Sequence, residues 1–229
     1  MKTSIIVPVY NEEITILKIL KKINLQRKNI NLEIIVSDDN STDSTKKLLL
    51  ENKNLYDKVY FADRNRGKGS AIINVINLVE GDYILIQDAD LEYDPIDYIK
   101  LLEPVYKDRA DVVYGSRFQG SEVKRVLYFT HRVANFFLTF FVNVLTNINF
   151  SDVETGYKLI RTSLFKNLNL KEKSFAIEIE LTMKLSKKKI RFYEVGISYY
   201  GRTYEEGKKI KFTDGLIALY KIFYYKLLN

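Results

Sequence analysis

Tyr83-Ile84-Leu85-Ile86-Gln87-Asp88-Ala89-Asp90-Leu91-Glu92 joins an apolar, β-branched run directly to a cluster of carboxylates. Four apolar residues in a row read as a strand buried on both faces, the pattern of a parallel sheet. Such sheets bind ligands at the carboxyl ends of their strands, which is where the acidic residues fall. Side chains at alternate positions of an extended end point the same way, so Asp88, Asp90 and Glu92 are expected to grip one hard divalent cation, Mg²⁺ or Mn²⁺. A solvated acidic turn ahead of Pro95 is the competing reading.

Outward from this strand the first half of the chain keeps one rhythm. Ser4–Val7, Leu32–Val36, Val59–Phe61, Val112–Tyr114 and Tyr83–Ile86 itself read as strands, and Glu13–Ile23, Ser44–Leu50, Ser70–Val79 and Ile96–Val105 carry helical spacing. The alternation predicts an α/β fold, a mostly parallel sheet with helices on both faces. After Gly115 the rhythm changes. A long aromatic segment, Leu127–Leu145, is followed by a short strand (Tyr157–Ile160), a helix (Phe175–Leu185), a strand near Arg191–Val195 and a closing helix, Thr213–Leu228. No repeat or low-complexity linker divides the chain, so 1–229 is read as one domain, its site shared between halves 1–117 and 118–229.

Composition narrows the chemistry. The 229 residues are 46% hydrophobic and 28% charged, which excludes a disordered or fibrous chain. With no cysteine and only His131, thiolate zinc sites, zinc-hydrolase clusters and Ser-His-Asp triads are excluded. Met1-Lys2-Thr3-Ser4 runs straight into a strand without a signal-peptide pattern, so the protein is read as intracellular. The stretch Val133–Leu145 is shorter than the roughly 20 apolar residues that span a bilayer. A net charge of +7 suits nucleic acid, an anionic membrane or a polyphosphate. Carboxylates at successive strand ends would repel a nucleic-acid backbone, so nucleic acid is not expected as a partner.

Two more strands end in polar clusters: Pro8-Val9-Tyr10-Asn11-Glu12-Glu13, and Ser37-Asp38-Asp39-Asn40-Ser41-Thr42-Asp43. Helix capping accounts for Ser41, Thr42 or Asp43, and the helix dipole for the early glutamates, but neither requires Asp38 and Asp39 as a pair. A carboxylate there could bond a nucleobase or ribose. Arg64-Asn65-Arg66-Gly67-Lys68-Gly69-Ser70 is a basic, glycine-containing turn before a helix, yet it lacks the first Gly and the Ser/Thr after Lys of a P-loop. Nor is there a Gly-x-Gly-x-x-Gly after the first strand, which argues against a dehydrogenase.

Pro8-Val9-Tyr10-Asn11-Glu12, Asp38–Asp43, Gly67-Lys68-Gly69, Asp88-Ala89-Asp90 and Gly115-Ser116-Arg117 stand in the order and spacing of family 2 glycosyltransferases of GT-A fold. The chain most resembles the dolichyl-phosphate mannosyltransferase-like branch, polyprenyl-phosphate hexosyltransferases, over nearly its whole length. The resemblance implies that Pro8, Tyr10, Glu12, Asp39, Lys68, Asp88 and Ala89 bind the donor and that Asp88, Asp90 and Glu92 hold the metal. It also implies that Asp152-Val153-Glu154-Thr155-Gly156-Tyr157-Lys158 faces the acceptor, and that Arg202–Lys209 closes over the phosphates. Relatives often carry Gln in place of Glu92 and Ser in place of Gly207, and many add transmembrane helices after the point where this chain stops, at Asn229.

The implied reaction is an in-line, inverting transfer of mannose or glucose from GDP-mannose or UDP-glucose to a polyprenyl phosphate. Asp90, Arg117, Asp152, Arg202 and Lys208 are the expected catalytic set, with Arg117, Arg202 and Lys208 binding phosphate oxygens. A glycan or other hydroxyl acceptor is the alternative. A phosphate needs no proton removed, whereas a hydroxyl needs a base, for which Asp152 and Glu154 are the candidates. Val126, Phe129, Phe136, Phe137, Phe140 and Phe141, with Lys124, Arg125 and Arg132, could lie in an anionic membrane interface on the cytoplasmic face, or form a buried helix or a dimer contact.

Overall fold

The computed structural model describes residues 1–126, 128–209 and 212–227. In chain order the elements are β1 (Thr3–Val9), α1 (Ile16–Gln26), β2 (Leu32–Asp38), α2 (Thr45–Glu51), β3 (Lys58–Phe61), α3 (Lys68–Asn74), β4 (Tyr83–Ile86), α4 (Tyr98–Tyr106) and β5 (Val112–Ser116). Then follow α5 (Phe129–Thr146), β6 (Lys158–Arg161), α6 (Thr162–Lys166), α7 (Ile177–Leu185), β7 (Phe192–Gly196) and α8 (Phe212–Leu227). Leu127 and Leu228, at the expected limits of two helical segments, lie outside the described residues.

The seven strands form one sheet in the order β3-β2-β1-β4-β6-β5-β7. Every pairing is parallel except those of β6, which runs antiparallel to both β4 and β5. Ile5, Val7 and Val9 of β1 pack with α1 and α4 on one face, while Ile6 packs with α3 and α7 on the other. Both faces are therefore covered, which is why β1, β2 and β4 carry near-continuous Ile, Leu and Val. Pro8 sits in β1 beyond its last pair with β4, Ile6↔Ile86. Ile6 O accepts from Gln87 N–H, so the strand alternation aims Pro8's missing N–H at the side where the β4 ladder has already ended.

Three expectations are corrected. The helix expected over Ser70–Val79 stops at Asn74 and continues as a 3-10 turn, Ile76–Leu78, because Ile72, Ile73, Val75 and Ile76 crowd β-branched side chains into it. The helix expected from Ile96 starts with a 3-10 turn, Pro95–Asp97, whose first amide is capped by Asp94. The short α6 was not foreseen; among its residues only Phe165 is buried, too little for a periodic signal.

α5 buries only Leu138, Thr139 and Val142, which excludes a buried helix. Phe136, Phe137, Phe140 and Val144 are exposed, whereas Phe141 packs inward against Phe223 of α8, contrary to the outward position expected for it. Among the described residues, no helix is long and apolar enough to cross a membrane.

Candidate active site

The carboxyl ends of β1, β2 and β4 meet the loop after β7, and this loop supplies the cations. Glu12 is buried after β1; its carboxylate accepts from Thr15 Oγ1 at 2.7 Å, Lys209 Nζ at 2.8 Å and Arg202 Nη2 at 3.2 Å. Burial alone would raise its pKa, but Lys209, Thr15 and Arg202 together hold it below the ordinary value. Tyr10 lies under the same loop, its carbonyl accepting from Lys209 Nζ.

Asp39, at the end of β2, does not point into open space. Its carboxylate accepts the backbone N–H groups of Arg66 and Gly67 at 3.0 and 2.6 Å and so fixes the turn that begins α3. Gly67 has φ 99, and a Cβ there would lie 2.6 Å from Lys173 O, so only glycine fits this left-handed close approach. The turn delivers Lys68 Nζ to Asp88 Oδ1 at 2.7 Å.

The Asp88–Glu92 segment corrects the expected geometry. It is a turn with Leu91 at φ 66, not an extended end, because Asp90 Oδ1 accepts the Glu92 N–H and curls the chain. The three carboxylates consequently diverge. Asp88 faces Lys68, Asp90 faces Arg202 Nη2 at 3.1 Å, and Glu92 accepts from Tyr199 Oη at 2.7 Å and Arg202 N–H at 2.8 Å. Among the described residues no three acidic or histidine side chains surround one point as metal ligands would. Burial, reinforced by Glu92 and Asp88, pushes the Asp90 pKa up to about 7, so Arg202 does not fully offset the crowded negative charge. Ala89 is buried in the core, leaving only its backbone for a ligand.

Beneath this turn Gln87 Oε1 accepts from Tyr98 Oη at 2.7 Å and Tyr157 Oη at 2.5 Å, while Tyr93 Oη accepts the Gly156 N–H at 2.9 Å. Tyr93 and Tyr98 carry no sequence signal of this role, and Gly156 and Tyr157 stand out only as members of the Asp152–Lys158 segment; a glutamine ending an apolar strand is the available signal for the network.

At the end of β5, Arg117 Nε and Nη2 each bond Asp152 at 2.7 Å, and the Arg117 N–H adds a third bond. Asp152 is fully buried and both of its oxygens are engaged by Arg117, an arrangement that suits orienting Arg117 better than removing a proton. Glu194 of β7 holds this loop by accepting the Ser151 and Asp152 N–H groups. Glu154 differs: its Oε1 is buried and accepts no hydrogen bond, and burial pushes its pKa up to about 7. Lys208 is partly buried and has no ion-pair partner among the described residues; burial, with Arg117 and Arg202 nearby, lowers its pKa.

The 201–209 loop is also tied to the start of α5. Arg125 bonds Gly201 O at 3.1 Å and Glu206 at 2.6 Å, and His131 Nε2 lies 3.0 Å from Tyr204 Oη.

Comparison with known proteins agrees with this architecture. A family model described as Glycosyl transferase family 2 matches residues 4–168. An uncharacterised protein of Methanocaldococcus jannaschii is 30% identical over 90% of this chain and 93% of its own length. The dolichol-phosphate mannosyltransferase of Pyrococcus furiosus is 28% identical over 92% of this chain, and the low-salt glycan biosynthesis hexosyltransferase Agl6 of Haloferax volcanii 29% over 93%. The chain spans 61% and 51% of those two proteins. Among solved structures, glucosyl-3-phosphoglycerate synthase of Mycobacterium tuberculosis, in complex with Mn²⁺, UDP and phosphoglyceric acid, superposes with a TM-score of 0.75 at 18% identity, over 100% of this chain and 79% of that one. The polar clusters at three neighbouring strand ends, the sheet order and the match over most of the chain have one common explanation: this protein belongs to glycosyl transferase family 2 and is a glycosyltransferase of GT-A fold.

Proposed function

We propose that the protein is a metal-dependent inverting hexosyltransferase that moves mannose or glucose from a nucleoside diphosphate to a polyprenyl phosphate at an anionic membrane surface. The observation that carries the phosphate acceptor is Lys208, partly buried and in no ion pair among the described residues, set in the field of Arg117 and Arg202 as well as of Glu92 and Asp90. Such a cluster is completed by phosphate oxygens. Similarity to the P. furiosus enzyme and to the Mn²⁺- and UDP-bound synthase supports the same reading.

The donor set suits a hard cation, being all carboxylate oxygen, and Lys68 and Arg202 already stand against two of its members as positive charges. The three carboxylates diverge as they stand, so Asp88, Asp90 and Glu92 would hold the ion only after turning toward one point as Lys68 and Arg202 move aside; bound there, it would supply charge neutralisation of the leaving diphosphate. The remaining work belongs to the chain. Pro8, Tyr10, Glu12 and Asp39 frame the nucleoside, with Asp39 also keeping the Lys68 turn in place. Arg202 and Lys208 bind phosphate oxygens, and Asp152 fixes the plane of the Arg117 guanidinium. An ionised acceptor phosphate attacks the anomeric carbon directly, so no base is required.

The exposed face of α5, with Phe129, Phe136, Phe137, Phe140 and Val144, is flanked by Arg125 and Arg132 and suits the interface where a polyprenyl phosphate resides. Glu154 favours a second reading. A carboxyl with a buried, unpartnered oxygen and a pKa pushed up to about 7 is what a hydroxyl acceptor would use as base.

Thermal-shift titration with GDP-mannose, UDP-glucose and their diphosphates, each with Mn²⁺, Mg²⁺ or EDTA, tests the donor site. A metal-dependent rise in Tm, lost in Asp90→Ala, is expected; no shift with any nucleotide would refute the donor assignment. Transfer of labelled sugar to polyprenyl phosphate, rather than to phosphoglycerate or a glycan, decides the acceptor.

A further inference from the structure

α7 is apolar and almost wholly buried, yet it carries Glu178 and Glu180. A buried carboxylate is retained only where cations or donors meet it. Glu180 accepts the Lys171 and Glu172 N–H groups and pairs with Lys184, away from the donor site. Glu178 is different. Its Oε2 accepts from Lys158 Nζ at 2.5 Å, and Lys158 also bonds the carbonyls of Val153 and Thr155, so all three ammonium hydrogens are used. Its Oε1 is ion-paired with Lys68 Nζ at 2.9 Å, and this buried oxygen has no other partner. Lys68 is paired at the same time with Asp88, at 2.7 Å from Oδ1 and 3.1 Å from Oδ2.

Lys68 thus stands between two carboxylates and is ion-paired with both. Resting on the donor reading above, we propose that Glu178 is a positioning residue: it supplies a second berth for Lys68, so that Asp88 can be released to a divalent cation when the nucleoside diphosphate enters. Lys68, Lys158, Asp88 and Glu178 form a charge-balanced set. A cation arriving at Asp88 displaces Lys68, and inside the protein a displaced ammonium needs another counter-charge within reach. Without Glu178, Lys68 would hold Asp88 as its sole counter-ion and two lysines would repel the incoming metal. The same residue ties Lys158 to the Val153–Thr155 carbonyls, so donor and acceptor segments share one anchor.

The test is a free-Mn²⁺ titration of the full chain, followed by electron paramagnetic resonance, with UDP or GDP present. Glu178→Gln is expected to weaken Mn²⁺ binding by about ten-fold, whereas in a Lys68→Met background the same change has no effect, as the pair coupling requires. Glu180→Gln serves as the control for a merely structural role: it lowers Tm and leaves Mn²⁺ affinity unchanged. If Glu178→Gln does not fold, Lys68→Met alone carries the test, since Asp88 freed of its lysine should bind Mn²⁺ without nucleotide more tightly than the wild type. Unchanged affinity in Glu178→Gln, or unchanged or weaker affinity in Lys68→Met, overturns the proposal while leaving the donor site intact. No Mn²⁺-dependent nucleotide binding by the wild type overturns the donor reading, and this inference with it.

Discussion

Arg202 Nη2 lies 3.2 Å from Glu12 Oε1, a contact between residues 190 apart that joins the loop after β7 to the end of β1. The same nitrogen reaches Asp90 Oδ2 at 3.1 Å, and Lys209 meets Glu12 beside it. A single guanidinium therefore joins Glu12 and Asp90, and under the proposed donor assignment it would give way, or turn to the diphosphate, when the donor binds. Replacing it leaves Asp90 and Glu12 less compensated. Arg202→Met is expected to lower transfer by roughly 10²–10³-fold, the range for losing one preorganised donor to developing charge. Mn²⁺ should raise the Tm of the variant by more than that of the wild type. Equal Mn²⁺ shifts would show that Arg202 does not compete with the cation.

The Arg117–Asp152 pair is two-pronged and almost out of water, with side-chain exposures of 10% and 0%. Breaking such a pair strands a buried charge, so Asp152→Ala should cost about 3–5 kcal/mol in urea unfolding. Arg117→Lys cannot reproduce the two parallel bonds and should be nearly as harmful. A loss below about 1 kcal/mol in either variant would mean that the pair is solvated in solution.

Gly156 packs so closely that an added Cβ would sit 2.5 Å from Asp88 Oδ2 and 3.1 Å from the Tyr93 ring. Gly156→Ala should destabilise by about 1–3 kcal/mol through overpacking and weaken metal-dependent nucleotide binding by moving Asp88. Gly215, in α8, has nothing within 4 Å of its Cβ position, and Gly215→Ala should stabilise by roughly 0.5–1 kcal/mol. Matching urea midpoints for the two alanine variants would contradict the contrast in packing.

Glu154 gives a pH dependence of definite sign. Burial lifts its pKa from the ordinary 4.5 to about 7 in the folded chain, so the folded state holds a proton that the unfolded state has lost. Its contribution is full below the unfolded value and declines as pH rises from about 4.5 through 7. Comparing wild type with Glu154→Gln at pH 5, 6 and 7 should show the wild type losing stability relative to the variant. Parallel curves would place the carboxyl in water.

The exposed face of α5 predicts a response to lipid. The protein should sediment with anionic vesicles at low salt and less so at high salt, and Phe136→Ser with Phe140→Ser should reduce binding while leaving Tm nearly unchanged, both side chains being exposed. Binding that survives the double substitution would move the contact elsewhere.

Much of this was legible from the chain itself. The β4 run followed by carboxylates, the alternation of strands and helices up to Ser116, and the loop clusters all reflect local patterns, and periodicity records local patterns well. The turn at Leu91 escaped because Asp90 bonds its own backbone, a choice that alternation of charge does not reveal. The meeting of Arg202 and Lys209 with Glu12 escaped because no pattern spans so much sequence. Glu178 lay in Ile177-Glu178-Ile179-Glu180-Leu181, where the burial of two glutamates depends on Lys68 and Lys158 arriving from other elements. Phe141 belongs to the aromatic run expected at a membrane interface, but only the neighbour Phe223 decides which face is covered.

The insertion of β6 between β4 and β5 has a consequence for synthesis on the ribosome. Leu85 pairs with Leu159, and Leu159 pairs in turn with Val113, so β5 joins the sheet only through a strand made some forty residues later. A nascent chain that has just completed Ser116 holds β5 with neither of its sheet neighbours, since β7 is also still to come. Segments 1–117 and 118–229 are thus not separable pieces. A truncation after residue 117 should be digested by protease at once, and the full chain should unfold in a single transition in which the loops after β1, β2 and β4 and the Asp152–Lys158 segment are lost together.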